Sequence, residues 1–189
     1  NKSPIPGKLR YRGIDVEEIV SHCSEEKRFG FEETAFLLLF GFLPTREMLD
    51  SFTHVLSARR ELPHSFTEDM ILKAPSPNIM NKLARCVLAL YSYDDNPDGL
   101  EIANLLRQSL DLIARFPTMI THAYAVKKHY YDEGSLVLHH PNPSISSAEN
   151  LLYMIRDNHV YTKEEAEILV LGMGTGTYAK QCIQYFGNV

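Results

Sequence analysis

One segment limits what this chain can fold into more than any other. The spacing predicts a helix from Phe31 or Glu32 to about Phe40, and its run Ala35-Phe36-Leu37-Leu38-Leu39-Phe40 is apolar all round. Gly41 supplies the stop, because only glycine enters the left-handed conformation without a Cβ penalty. A helix with no polar face should be buried on most sides, and that requires several neighbours. Leu43-Pro44-Thr45 then breaks the chain and restarts it.

The neighbours read as helices too. Asp15 is the expected N-cap of a helix opening Val16-Glu17-Glu18-Ile19-Val20, with acidic residues in its first turn to suit the helix dipole. Met48, Leu49, Phe52, Val55 and Leu56 recur at helical spacing after Thr45. Ser146 with Glu149 and Thr162 with Glu165 have the capping-box spacing, and Ser65 with Glu68 repeats it at the start of a short helix. Three longer helical stretches lie between. One runs from about 78 to about 91 with Ile79, Leu83, Val87 and Leu90 on one face. A second runs from about 100 to about 115 with Ile102, Leu105, Leu106, Leu110 and Ile113. Pro117 is expected to separate it from a third that begins near Thr118 and carries Ile120, Ala123 and Tyr124. Asn96-Pro97-Asp98-Gly99 reads as a turn and His140-Pro141-Asn142-Pro143 as a loop. With no strand alternation and no internal repeat, the expected fold class is all-α.

Composition narrows the function. The 189 residues, 44% hydrophobic and 23% charged, suffice for one sizeable core, so one domain is the default. Net charge is −5 and the 19 basic residues are scattered, which argues against a nucleic-acid footprint. The longest apolar run is far shorter than the ~20 residues a membrane span needs. No signal peptide is visible, and a chain starting at Asn1 is expected to lack some N-terminal sequence. Three widely spaced cysteines, Cys23, Cys86 and Cys182, suit neither a disulfide framework nor a zinc site. A reducing, cytoplasmic setting is the simplest expectation.

Taken in order, four segments resemble the first half of a citrate synthase. Gly7-Lys8-Leu9-Arg10-Tyr11-Arg12-Gly13-Ile14-Asp15 resembles the family's G-x-L-x-Y-R-G-x-D opening, and Phe31 to Thr45 resembles its "FEEVAYLLLYGELPT". Leu112-Ile113-Ala114-Arg115-Phe116-Pro117-Thr118 is similar to "LIAK-x-PT", and Ser147-Ala148-Glu149-Asn150-Leu151-Leu152-Tyr153-Met154 to "YAENFLYML". The matches run from about Gly7 to about Leu171 and lie closest to the citrate synthases of anaerobic Gram-positive bacteria. A 2-methylcitrate synthase would share every one of them.

The resemblance implies the multi-helical large domain of the citrate synthase fold, truncated before the small domain. It implies condensation of acetyl-CoA, as substrate, with oxaloacetate to give citrate and CoA in the tricarboxylic acid cycle. No metal or cofactor is implied. It also implies a homodimer built through large-domain helices, and truncation should uncover apolar surface that favours self-association. The family's catalytic groups lie in an "LHAEH" motif, an "AHGGAN" motif and a small domain with an aspartate base and arginines. Here Glu165-Ala166-Glu167-Ile168-Leu169-Val170-Leu171 leads instead into Gly172-Met173-Gly174, and the last histidine is His159. No catalytic, cofactor-binding or metal residue is therefore carried over, and the isolated chain is expected to be inactive. Residues 1–171 read as the family-like domain and 172–189 as a divergent tail. A frameshift or gene fragment is favoured over a degenerate copy or a real terminus. Rival readings are a non-catalytic helical interaction module and an acyltransferase using different residues.

Other motifs have plainer explanations. Gly174-Thr175-Gly176-Thr177-Tyr178-Ala179 fits G-x-G-x-x-A, but too little chain follows for a dinucleotide-binding βαβ unit. His139-His140 reads as a solvated loop rather than a ligand pair. Lys127-Lys128-His129 complements a helix C-terminus more simply than it binds a coenzyme phosphate. Tyr91, Tyr93, Tyr130 and Tyr131 are expected to pack with exposed hydroxyls rather than to act as catalysts.

Overall fold

A computed structural model describes residues 8–167 of the chain. They fall into two compact units with separate cores, residues 8–53 with 162–167, and residues 54–161.

The first unit opens with a hairpin. β1 (Arg10–Tyr11) pairs antiparallel with β2 (Ile14–Asp15), a ribbon too short to show alternation in the sequence. Arg12 and Gly13 between them both take positive φ, 50° and 90°, the signature of a two-residue hairpin turn that glycine makes accessible. Asp15 then caps α1 (Val16–Glu25) as expected, accepting the Glu17 amide at 3.1 Å. Lys8 pairs with the same carboxylate at 2.7 Å and holds its pKa below the ordinary value. α2 (Phe31–Phe40) ends at Gly41, whose φ of 86° confirms the expected stop and whose amide donates to Leu37 O at 2.8 Å. The Arg12 guanidinium donates through Nε (3.2 Å) and Nη2 (2.7 Å) to Leu38 O in the last turn of α2. A cation thus satisfies a helix-end carbonyl and complements the dipole.

Ile19, Cys23 and Leu37 form this core, with Tyr11 and Ile14 packed against it. Phe36 packs at a tilt against Phe40 and meets Phe42 and Phe52 edge-on. The expectation that α2 is buried on most sides needs correction. Phe36 and Leu37 are buried, but Leu38 is 43% and Phe40 40% exposed. The remaining residues of α2 are half-buried or buried, so exposure is confined to Leu38 and Phe40.

The second unit is built on α5 (Ile102–Tyr131), a single helix of 30 residues. This corrects the expected break at Pro117, which lies inside it. A proline in a helix interior costs ~3 kcal/mol through its missing amide and its clash with the preceding turn. Beyond it, Met119, Ala123 and Val126 are buried in the main core, and each large apolar side chain so buried contributes about 1.5–3 kcal/mol. Tertiary burial outweighs the local penalty. α3 (Arg46–Ser57) leads into this unit, and α4 (Ile79–Ala89) continues as one 3₁₀ turn over Leu90–Tyr93. α4 and a π-helical turn over Thr67–Leu72 supply Leu83, Cys86 and Ile71 to the same core, and Phe66 joins them.

Ser65 does not cap that turn. Its φ is +58° and its hydroxyl lies 2.9 Å from His64 Nδ1, so the Ser65–Glu68 spacing was a false signal. The other two boxes form. Ser146 and Glu149 exchange both bonds at the start of α6 (Ser147–Ile155), and Thr162 and Glu165 do the same.

Between α5 and α6 the chain has no regular structure over 133–142, yet it is firmly held. The buried Arg60 donates to Asn142 O (2.6 Å), Ile145 O (2.8 Å) and Ser147 Oγ (3.4 Å). Its own carbonyl accepts the Thr118 hydroxyl at 2.8 Å, and the buried Asn150 side chain accepts the Asn142 amide at 2.7 Å. These bonds satisfy Arg60 and Asn150 and the carbonyls and amide they meet, which is what allows an irregular segment to pack.

Candidate functional site

Two polar cavities of the second unit gather the titratable groups. The first, about 240 Å³, is lined by His64, Glu61, Thr67, Glu68, His122 and His139, among others. His122 projects from the buried face of α5. Its Nε2 lies 3.1 Å from His139 O and its Nδ1 lies 2.9 Å from Thr67 Oγ1. A carbonyl only accepts, so Nε2 carries the proton, and in the neutral ring Nδ1 accepts from the threonine hydroxyl. Burial pushes the His122 pKa below its ordinary value, opposed in part by that bond to the His139 carbonyl. The His139 ring packs against His159 at 4.2 Å, and His159 stacks on Tyr153 at 4.0 Å. His159 Nδ1 donates to Tyr153 O at 2.8 Å. His139 Nε2 is buried without a hydrogen-bond partner, and burial followed by the charge of His159 lowers the His139 pKa.

The second cavity, about 360 Å³, lies between the 3₁₀ turn and the first half of α5. Asp111 is nearly buried and meets Arg59 (3.2 Å), Arg107 (3.3 Å) and Arg115 (3.7 Å). Arg107 also meets Asp94 at 2.5 Å, and the Asp94 carboxyl accepts the Asn96 amide and the Gln108 side chain. Those bonds hold Asp94 below the ordinary carboxylate range, the Asn96 amide first. The carboxylates are occupied by cations, so neither is poised to take a proton from a substrate.

The histidine pair singled out from the sequence divides. His140 is exposed, as a solvated loop residue should be, and approaches Glu61 at 3.6 Å. His139 is only half-buried, with its ring against His159, its Nε2 buried and its carbonyl accepting from His122, so the solvated-loop expectation holds for it in part. Lys127, Lys128 and His129 sit in the last turns of α5. Lys127 faces Asp132 at 3.8 Å, Lys128 faces Asp157 at 3.5 Å, and His129 Nδ1 donates to Gly134 O at 2.9 Å. They close the end of a helix. Tyr91, Tyr130 and Tyr131 are exposed, and Tyr91 donates to Asp98 at 2.7 Å, a bond that together with the Asp98 charge raises its pKa. Tyr93 instead packs edge-on against Phe66. Cys182 and the glycine-rich segment 174–179 lie outside the described residues.

The sequence reading missed His122, His159, Thr67 and Arg60. Their partners lie 17 to 87 positions away wherever a long-range bond joins them, as for His122 to His139 and Arg60 to Ser147, so no local pattern marks them.

Comparison with known proteins is consistent throughout. The family profile described as "Citrate synthase, C-terminal domain" matches residues 2–174. Citrate synthase of Saccharolobus solfataricus is 30% identical over 146 residues, 77% of this chain and 35% of that protein. The Acidithiobacillus ferridurans citrate synthase is 32% identical over 155 residues, 79% of this chain and 37% of that protein. A protein of Corynebacterium glutamicum named 2-methylcitrate synthase 1 is 30% identical over 118 residues, 62% of this chain and 29% of its own length. Among solved structures, Pyrobaculum aerophilum citrate synthase superposes with a TM-score of 0.71 at 23% identity, covering 88% of this chain and 41% of that one. The Thermotoga maritima enzyme gives 0.61 at 27% identity over 89% and 41%. The chain thus spans little more than a third of the length of the curated citrate synthases it matches. With the mostly helical fold and the family profile spanning nearly the whole sequence, the chain belongs to the citrate synthase family.

Proposed function

We propose that this chain supplies part of the large helical domain of an enzyme that condenses acetyl-CoA with oxaloacetate to citrate and CoA. The profile match over residues 2–174 carries this reading. We propose equally that residues 1–189 alone do not catalyse the reaction. Condensation needs a base for a weakly acidic proton beside the thioester carbonyl, a donor for the enolate oxygen, and cations for the dicarboxylate. In the described residues His122 of the smaller cavity is engaged by Thr67 and the His139 carbonyl, His139 packs on His159, and Asp94 and Asp111 of the larger one are paired with arginines. A thiol-release assay of the chain with oxaloacetate and either acetyl-CoA or propionyl-CoA is expected to stay at background. Release above background would overturn the inactivity, and preference for propionyl-CoA would favour a 2-methylcitrate synthase.

Self-association through helices is the second part of this reading, and one surface supports it. Met80, Ala84, Leu88 and Tyr91 follow one another along one side of α4 and the turn after it, with Met80 78% and Leu88 76% exposed. On α5, Ile102, Leu105 and Phe116 are exposed as well. A continuous apolar stripe of this kind marks an interaction face. Light scattering after size exclusion is expected to report a dimer or larger, reduced towards monomer by Leu88→Asp. A clean monomer at high concentration would sink this part. Among the described residues no helix is long and apolar enough to cross a membrane. Cys23 and Cys86, both free and buried, support placing the protein in a reducing cytoplasm.

A further inference from the structure

We infer that His122, His139 and His159 form a pH-sensitive latch that holds the loop between α5 and α6 while neutral and releases it in mildly acidic medium. The argument rests on where the three rings sit. His122, on α5, grips the loop backbone through His139 O and is itself held by Thr67 from the π-helical turn. From the loop, the His139 ring reaches the other way and packs on His159, which follows α6 and is stacked on Tyr153. The loop is thereby clamped between three elements by imidazole rings, the side chain whose charge changes most readily near neutral pH.

Neutral rings fit this arrangement better than charged ones. Protonated His122 gains a second donor at Nδ1, facing a threonine oxygen that must then turn its own proton away. His139 Nε2 is buried without a partner, so a proton there is an unsatisfied donor in a poorly solvated place. A charge on His139 also sits at a ring separation of 4.2 Å from His159, whose charge opposes it. The surroundings do not cancel this. Glu61 and Glu68 face His122 and favour its charged form, while His140 opposes it and approaches Glu61 itself at 3.6 Å. His64 lines the same cavity. Asp157 faces His139 but is engaged by Lys128 of α5 at 3.5 Å.

The direction of the linkage follows. Both His122 and His139 are held below the ordinary histidine value of about 6.5. Below that value the released loop binds more protons than the latched one. The latch is therefore complete above about pH 6.5 and is lost progressively as pH falls towards the folded-state values.

The test is hydrogen exchange by NMR on the full chain, following the Asn142 amide that donates to Asn150, alongside titration of the histidine ring resonances. After correction for intrinsic exchange, the opening equilibrium at Asn142 is expected to rise severalfold from about pH 7.5 to about pH 5.5. His139→Phe keeps a ring against His159 and cannot titrate, so it should retain more Asn142 protection than wild type at the lower pH. His122→Gln can donate to His139 O and accept from Thr67, and it should blunt the response in the same way even if the phenylalanine variant folds poorly. Protection at Asn142 that is unchanged across this range, or that is lost equally in wild type and both variants, would overturn the latch.

Discussion

Replacing Arg60 by methionine tests whether one buried cation organises the second unit. Methionine keeps most of the aliphatic stem and its packing, so the change falls on the guanidinium. That group donates to Asn142 O at 2.6 Å, Ile145 O at 2.8 Å and Ser147 Oγ at 3.4 Å. A hydrogen bond from a charged donor contributes about 1.5–3 kcal/mol, and an orphaned buried acceptor costs about 1–3 kcal/mol. Against this, an apolar side chain escapes the several kcal/mol of desolvating a cation. Asn142 and Ile145 are half-buried, so water reaches their carbonyls in part and the lower end of each range applies. The two short bonds then give a net loss of about 2–4 kcal/mol. Urea unfolding followed by circular dichroism is the assay. With a slope near 2 kcal/mol/M the midpoint should fall by roughly 1–2 M at unchanged slope. Arg60→Lys, which carries a point charge rather than a fork, should fall between the two. A loss below about 0.5 kcal/mol, with Asn142 still protected from exchange, would refute the view that this side chain holds the loop.

Two smaller perturbations test the backbone argument. Gly41→Ala places a Cβ where nothing lies within 4 Å, so its cost is conformational alone at φ 86°, about 1 kcal/mol after the entropy lost by the unfolded chain is allowed for. An unchanged urea midpoint would show that α2 ends without needing this residue. Pro117→Ala restores the missing amide in α5, worth ~3 kcal/mol, and removes two buried methylenes worth about 0.8 kcal/mol each, for a net gain near 1 kcal/mol. A lowered midpoint would instead mean that the packing of Thr118 and Met119 depends on the proline.

What the sequence alone determined here is local. Asp15, Gly41, Ser146 with Glu149 and Thr162 with Glu165 each act on a backbone group within four residues, and all of them behave as their spacing predicts. Four short segments in order also sufficed to identify the family, because motifs of that kind survive in the chain itself. Only the tertiary structure decided the rest. Pro117 reads as a break until the burial of Met119, Ala123 and Val126 is known, and Ser65–Glu68 reads as a cap until the π-helical turn displaces it. α2 reads as enclosed until the exposure of Leu38 and Phe40 is seen, and His139 reads as solvated until His122 and His159 meet it from elsewhere in the chain and leave it half-buried. A cap spends its free energy within one turn and leaves its mark in the spacing of letters. Burial and long-range hydrogen bonds depend on which distant residues arrive at the same place, and no short window of sequence records that.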